Sequence, residues 1–198
     1  MLTDKMLDDA IWIAKSLFDR GKATGSSANL SFRQGDRIYI TGTGTCFGRL
    51  QSDDFAILSL DAEGDCKSLN SVTASKELPL HLALYRKSDD IRAVIHTHSF
   101  YATVFSCYEH ENENDVMPDI TPYLKMKVGT IGLVPYAPPG SRELFDLFEK
   151  RVKYDDGFLL ANHGPVVAGT SLLNAFYGIE ELEENARIAC FFRKESQG

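Results

Sequence analysis

Ala93-Val94-Ile95-His96-Thr97-His98-Ser99 decides the reading of this chain. An apolar run leads into two histidines one residue apart, as at the end of a buried strand. Side chains on a strand alternate between faces, so His96 and His98 point the same way, with Cα atoms roughly 6.5–7 Å apart. Two imidazoles at that spacing can converge on one metal ion. The alternative is a pair of polar residues closing a strand, one of them bonded to backbone. Glu77 lies upstream at an expected helix start, and His163 lies downstream in Leu160-Ala161-Asn162-His163-Gly164. With these two, three His and one Glu would suit a divalent transition metal and leave a position for substrate.

The other titratable residues near this set have plainer readings. Glu77 can be a first-turn carboxylate favoured by the helix dipole. Beside a metal ion it would instead move a proton on carbon. His81 falls within a helical pattern and reads as a packing or hydrogen-bonding residue. His110 sits in the acidic stretch 109–119 and reads as solvated.

Around the histidine strand, short strands alternate with amphipathic helices. A helix is expected over 3–20, capped by Thr3 and ended by Gly21, with Met6, Leu7, Ala10, Ile13, Ala14, Leu17 and Phe18 at helical spacing on its apolar side. Trp12 lies near that stripe, in the core or at an interface. Strands at 30–33 and 37–41 flank a Gly35-Asp36 turn and read as a hairpin. A further strand at 56–60 precedes a turn at Glu63-Gly64-Asp65. Helices follow at 78–86 and 100–108, the first with Leu78, Leu82 and Tyr85 on one face. Residues 122–127 read as helical or irregular, and 133–136 as extended. Ser141 caps a helix to about 153, and the strand 157–161 neighbours 165–168. A last helix, 172–192, has Ala175, Ile179, Leu182, Ala186 and Ala189 on its apolar side. Glu180, Glu181, Glu183 and Glu184 form its expected solvated face. The fold class is three-layer α/β: a mainly antiparallel sheet with helices on both faces, in one domain spanning residues 1–198.

Composition narrows the function. A formal net charge of -7 argues against a nucleic-acid footprint, which would be basic. Cys46, Cys66, Cys107 and Cys190 are scattered without CxxC spacing, so reduced, mostly buried thiols in a cytoplasmic protein are expected. The charged residues of 1–20 lead to the expectation of no signal peptide, and no apolar run approaches the ~18 residues of a membrane span.

Three loops are small, hydroxylated or glycine-containing: Ser26-Ser27-Ala28-Asn29, Thr41-Gly42-Thr43-Gly44 and Ser75-Lys76. Each can be a plain turn, or can offer N–H and hydroxyl groups to a phosphate. Together beside a metal site they suggest a small phosphorylated substrate.

The ordered set Ala28-Asn29-Leu30-Ser31, Thr41-Gly42-Thr43-Gly44, Ser75-Lys76-Glu77, His96-Thr97-His98 and Ala161-Asn162-His163-Gly164 resembles the class II aldolase/adducin family over nearly the whole chain. The resemblance implies one Zn²⁺ per subunit held by Glu77, His96, His98 and His163, with Glu77 also the catalytic acid/base. It implies phosphate contacts from Ala28, Asn29, Thr43, Gly44, Ser75 and Lys76. It further implies a homotetramer with active sites between subunits. Tyr123 lies near the position of a tyrosine that the family's aldolases offer from a neighbouring subunit.

Within the family, Thr45-Cys46-Phe47-Gly48-Arg49-Leu50, Ser75-Lys76-Glu77-Leu78-Pro79-Leu80-His81 and Leu133-Val134-Pro135-Tyr136 are most similar to the 3-oxo-tetronate 4-phosphate decarboxylase branch. That similarity implies decarboxylation to dihydroxyacetone phosphate and CO₂ through a metal-stabilised enediolate. Sugar-phosphate aldolases of the family carry Ser-Ser before the Glu, where this chain has Ser75-Lys76. The extra cation suits a substrate with both phosphate and carboxylate. Aldolase or epimerase chemistry, or a non-catalytic adducin-like interaction domain, are the alternatives.

Overall fold

A computed structural model describes residues 2–60 and 66–195. The elements run α1 (Leu2–Asp19), β1 (Asn29–Gln34), β2 (Arg37–Thr41), β3 (Phe55–Leu60), β4 (Cys66–Ser68), α2 (Leu78–Lys87), β5 (Ala93–His96) and α3 (Phe100–Ser106). They continue as α4 (Pro122–Lys127), β6 (Ile131–Val134), α5 (Arg142–Arg151), β7 (Gly157–Leu160), β8 (Gly164–Gly169) and α6 (Leu172–Glu195). The expected turn at Glu63-Gly64-Asp65 lies outside the described residues. Thr3 falls inside α1, whose backbone starts one residue earlier, so the expected cap is displaced.

Among the described residues, eight strands form one sheet in the order β4-β3-β2-β1-β5-β8-β7-β6. Every pairing is antiparallel except β6 with β7, which α5 joins as a crossover. The three-layer α/β arrangement expected from the alternating elements is the one observed. Alternation along each strand explains it. Leu30, Phe32, Tyr39, Ile95, Leu159 and Val167 turn to one face and pack with α1, α3 and α6. Ile38, Ile40, Val94, Phe158 and Val166 turn to the other and pack with α2 and α5. Among the described residues, no helix is long and apolar enough to cross a membrane.

Several expected surfaces differ. Helix α2 buries Leu80 through Tyr85 without a break, because it is pressed between the sheet and α5, while Leu78 is only partly covered. Trp12 is 56% exposed and sets its ring edge against Phe176, so of the two places expected for it, core or interface, the core is ruled out. His110 is half-buried and bonded to the Phe105 carbonyl through Nε2 rather than solvated. None of the four thiols is fully buried: Cys107 is exposed and the others are intermediate, and none of the four is in a disulfide.

The acidic side of α6 departs most. Glu183 is buried, and its two carboxylate oxygens accept the backbone N–H groups of Tyr101 and Ala102 at 3.1 and 2.8 Å. These donors belong to the first turn of α3, where no intrahelical acceptor exists. The carboxylate satisfies them and complements the positive end of the helix. It thereby pins the chain just after His98.

Candidate metal centre

Four elements bring four side chains together. His96 is the last residue of β5, and His98 follows two residues on. His163 lies in the tight turn between β7 and β8, where Leu160 pairs with Gly164. Glu77 caps the start of α2, but its side chain makes no cap bond and turns to the histidines instead. Because β8 pairs with β5, the turn that carries His163 comes over the end of the histidine strand.

One residue makes that approach possible. A Cβ on Gly164 would stand 2.4 Å from the Thr97 carbonyl oxygen, and its φ of +156° is one L side chains rarely adopt. Gly164→Ala is expected to push β8 off β5. The cost of such overpacking is about 1–3 kcal/mol. For a chain this size each kcal/mol lowers Tm by about 2–4 °C. A melting curve equal to wild type would show the close approach to be dispensable.

The Nε2 atoms of His98 and His163 lie 3.2 and 3.3 Å from that of His96. Glu77 Oε2 is 3.3 Å from His96 Nε2, and Oε1 is 3.4 Å from His163 Nε2. An ion about 2.0–2.1 Å from tetrahedrally placed nitrogens puts those nitrogens about 3.3 Å apart. The donor set and its spacing therefore fit a zinc-like cation.

Electrostatics support the same fit. Burial, with the neighbouring His98 second, pushes the pKa of His96 down to about 3. Burial, then His96, takes His163 to about 3, and burial also lowers His98. The rings are neutral at physiological pH, as metal ligands must be. His96 gives its Nδ1 proton to the Pro165 carbonyl at 2.9 Å, so its Nε2 carries only a lone pair. That lone pair faces a Glu77 oxygen and two further imidazole nitrogens, an arrangement a cation reconciles. No protein group partners His163 Nδ1 among the described residues.

Glu77 is held from behind. It is buried, and Oε2 accepts a 2.8 Å hydrogen bond from Asn29 Nδ2. The Asn29 amide is thus engaged with the carboxylate, a role its loop motif alone did not disclose.

A cavity of about 250 Å³ opens beside these groups. Its lining includes Ala28 and Asn29 from the first loop, Thr43 and Gly44 from the second, and Ser75, Lys76 and Glu77 from the third. His98 and His163 complete it on the metal side. All the loop residues expected to hold phosphate therefore meet at one opening. The stem of Lys76 crosses the Pro139-Gly140 turn, where a Cβ on Gly140 would stand 3.0 Å from Lys76 Cδ. Tyr123 does not line this cavity; it lies on α4, 58% exposed. A larger groove of about 780 Å³ runs along the end of α6 past Tyr101, Tyr108 and Phe191, but none of the three imidazoles lines it.

Comparison with known proteins gives one consistent result. The family described as "Class II Aldolase and Adducin N-terminal domain" matches residues 8–190. The 3-oxo-tetronate 4-phosphate decarboxylase of Escherichia coli O6:H1 is 42% identical over 177 residues, covering 89% of this chain and 82% of the relative. The L-fuculose phosphate aldolase of Methanocaldococcus jannaschii is 38% identical over 178 residues, covering 90% and 92%. Among solved structures, Escherichia coli YgbL superposes with a TM-score of 0.89 at 36% identity, covering 95% of this chain and 89% of that one.

Proposed function

Since the chain belongs to the class II aldolase and adducin N-terminal domain family, we propose that it is a zinc-dependent carboxy-lyase that converts 3-oxo-tetronate 4-phosphate to dihydroxyacetone phosphate and CO₂. The observation that carries the reading is the convergence of His96, His98, His163 and Glu77 beside a small cavity rimmed by hydroxyls, glycine and Lys76.

The phosphate is gripped by N–H and hydroxyl groups of Ala28-Asn29, Thr43-Gly44 and Ser75. Lys76, reaching over the Gly140 turn, faces the C1 carboxylate. The three imidazoles and Glu77 would hold a divalent cation, which would supply Lewis acidity at the C3 carbonyl. When the C1–C2 bond opens, CO₂ leaves and its electron pair spreads over C2 and the C3 oxygen. Glu77, carrying a proton, delivers it to C2. Carbon, charge and proton then balance as dihydroxyacetone phosphate.

We read residues 1–198 as one catalytic domain, a reading supported by the single sheet. The assembly is a homotetramer with sites between subunits. Tyr123 and Met126, 58% and 76% exposed on α4, suit contact with a neighbouring copy, which would bring Tyr123 to the next subunit's site. Four cysteines outside any disulfide support a cytoplasmic setting.

The identity to an L-fuculose phosphate aldolase favours a second reading, cleavage of a sugar phosphate at the same metal site. Incubation with C1-labelled 3-oxo-tetronate 4-phosphate separates the two. Labelled CO₂ and dihydroxyacetone phosphate should appear in equal amounts, with fuculose 1-phosphate turned over at least about 100-fold more slowly, the loss expected when a buried polar site meets the wrong partner. Aldehyde release from fuculose 1-phosphate without CO₂ from the acid would replace the decarboxylase by the aldolase.

A further inference from the structure

Behind Glu77 lies a row of buried polar groups that the reaction above does not use. Glu77, His81 and Tyr85 are spaced four residues apart along α2, and Asn29 and Ser31 two apart on β1. Four helical residues rise about 6.0 Å and two strand residues about 6.6 Å, so the two rows stay in step. They interdigitate in a continuous chain. Tyr85 Oη lies 2.7 Å from Ser31 Oγ, and Ser31 Oγ lies 2.7 Å from His81 Nδ1. His81 Nε2 lies 2.6 Å from Asn29 Oδ1, and Asn29 Nδ2 donates to Glu77 Oε2 at 2.8 Å. All five side chains are buried; His81 and Ser31 have no exposed surface at all.

The carboxylate at one end fixes the direction of every bond. A carboxylate only accepts, so the Asn29 amide must present its NH₂ to Glu77 and its oxygen to His81. That oxygen needs a donor, which makes His81 the Nε2–H tautomer. Its Nδ1 then accepts from Ser31, whose oxygen accepts from Tyr85. The opposite His81 tautomer would put a lone pair against the Asn29 oxygen. Relieving that clash by flipping the amide would set two acceptors face to face at Glu77.

We propose that His81, held in this row as the Nε2–H tautomer with its Nδ1 toward Ser31, is a positioning residue that orients the Asn29 amide and so aims the Glu77 carboxylate at the three imidazoles. The inference rests on Glu77 being a ligand of the metal centre, but not on which substrate is used. Partners behind a metal ligand typically change metal affinity by about 10–100-fold. Gln can place a side-chain N–H where His81 has Nε2–H; Leu cannot.

Two measurements on the full chain need no substrate, so their failure is separate from failure of the decarboxylase reading. In zinc competition against a chelator, His81→Leu should bind about 10–100-fold more weakly than wild type, and His81→Gln should recover to within about threefold. Equal affinity of His81→Leu and wild type would overturn the role, as would His81→Gln falling as far as His81→Leu. Should His81→Leu not fold, nitrogen NMR of wild-type protein decides. A protonated Nε2 with a bare Nδ1 on His81 supports the proposal, and the reverse tautomer overturns it.

Discussion

Glu77→Gln should turn the enzyme over about 10²–10⁴-fold more slowly while leaving the fold intact. That range is the usual contribution of a positioned general acid or base. The substitution is nearly isosteric, and the new amide oxygen can still accept from Asn29 Nδ2, so the buried row behind it survives. In the proposed reaction, what is lost is the group that carries a proton to C2, together with one anionic ligand. Three imidazoles remain within reach of one ion, so part of the metal should stay. Steady-state CO₂ release, read beside metal content, separates the two losses. A rate near wild type would assign the proton transfer to another group.

His98→Ala is expected to abolish both bound metal and turnover. Its Nε2 is one corner of the nitrogen cluster, 3.2 Å from His96 Nε2. Removing that corner leaves two imidazoles and a carboxylate. The affinity loss should exceed the ~100-fold typical of losing only a partner behind a ligand. Chelator treatment of wild-type protein should have the same effect, with one difference. Added Zn²⁺ should restore the treated wild type and fail to restore His98→Ala. Full metal occupancy in the mutant would take His98 out of the centre, and undiminished turnover in metal-free wild type would remove the metal from the chemistry.

Local patterns carried much of the architecture because they are local physics. The hairpin β1–β2, the apolar stripe of α1 and the Ser141 cap of α5, which accepts from Leu144 N at 3.1 Å, follow from residues close in sequence. The grouping of Glu77 with His96, His98 and His163 was legible because few histidines exist and three sit at strand ends. Other features needed the fold. Glu183 looks like part of a solvated face until α3 arrives with its first-turn N–H groups, which lie more than 80 residues away in the chain. The uninterrupted burial of α2 follows from α5 packing over it, which periodicity within α2 cannot disclose. The row Glu77, His81 and Tyr85 was present as a four-residue repeat. Its meaning depended on β1 lying alongside in step, a consequence of strand order rather than of composition.

The most direct test of a shared metal centre is anomalous diffraction at the zinc edge from crystals of the zinc-loaded protein. One peak should stand about 2.0–2.1 Å from the Nε2 atoms of His96, His98 and His163, with a Glu77 oxygen at about 2.0–2.2 Å. No peak among these side chains, or one bound by other residues, would contradict the account.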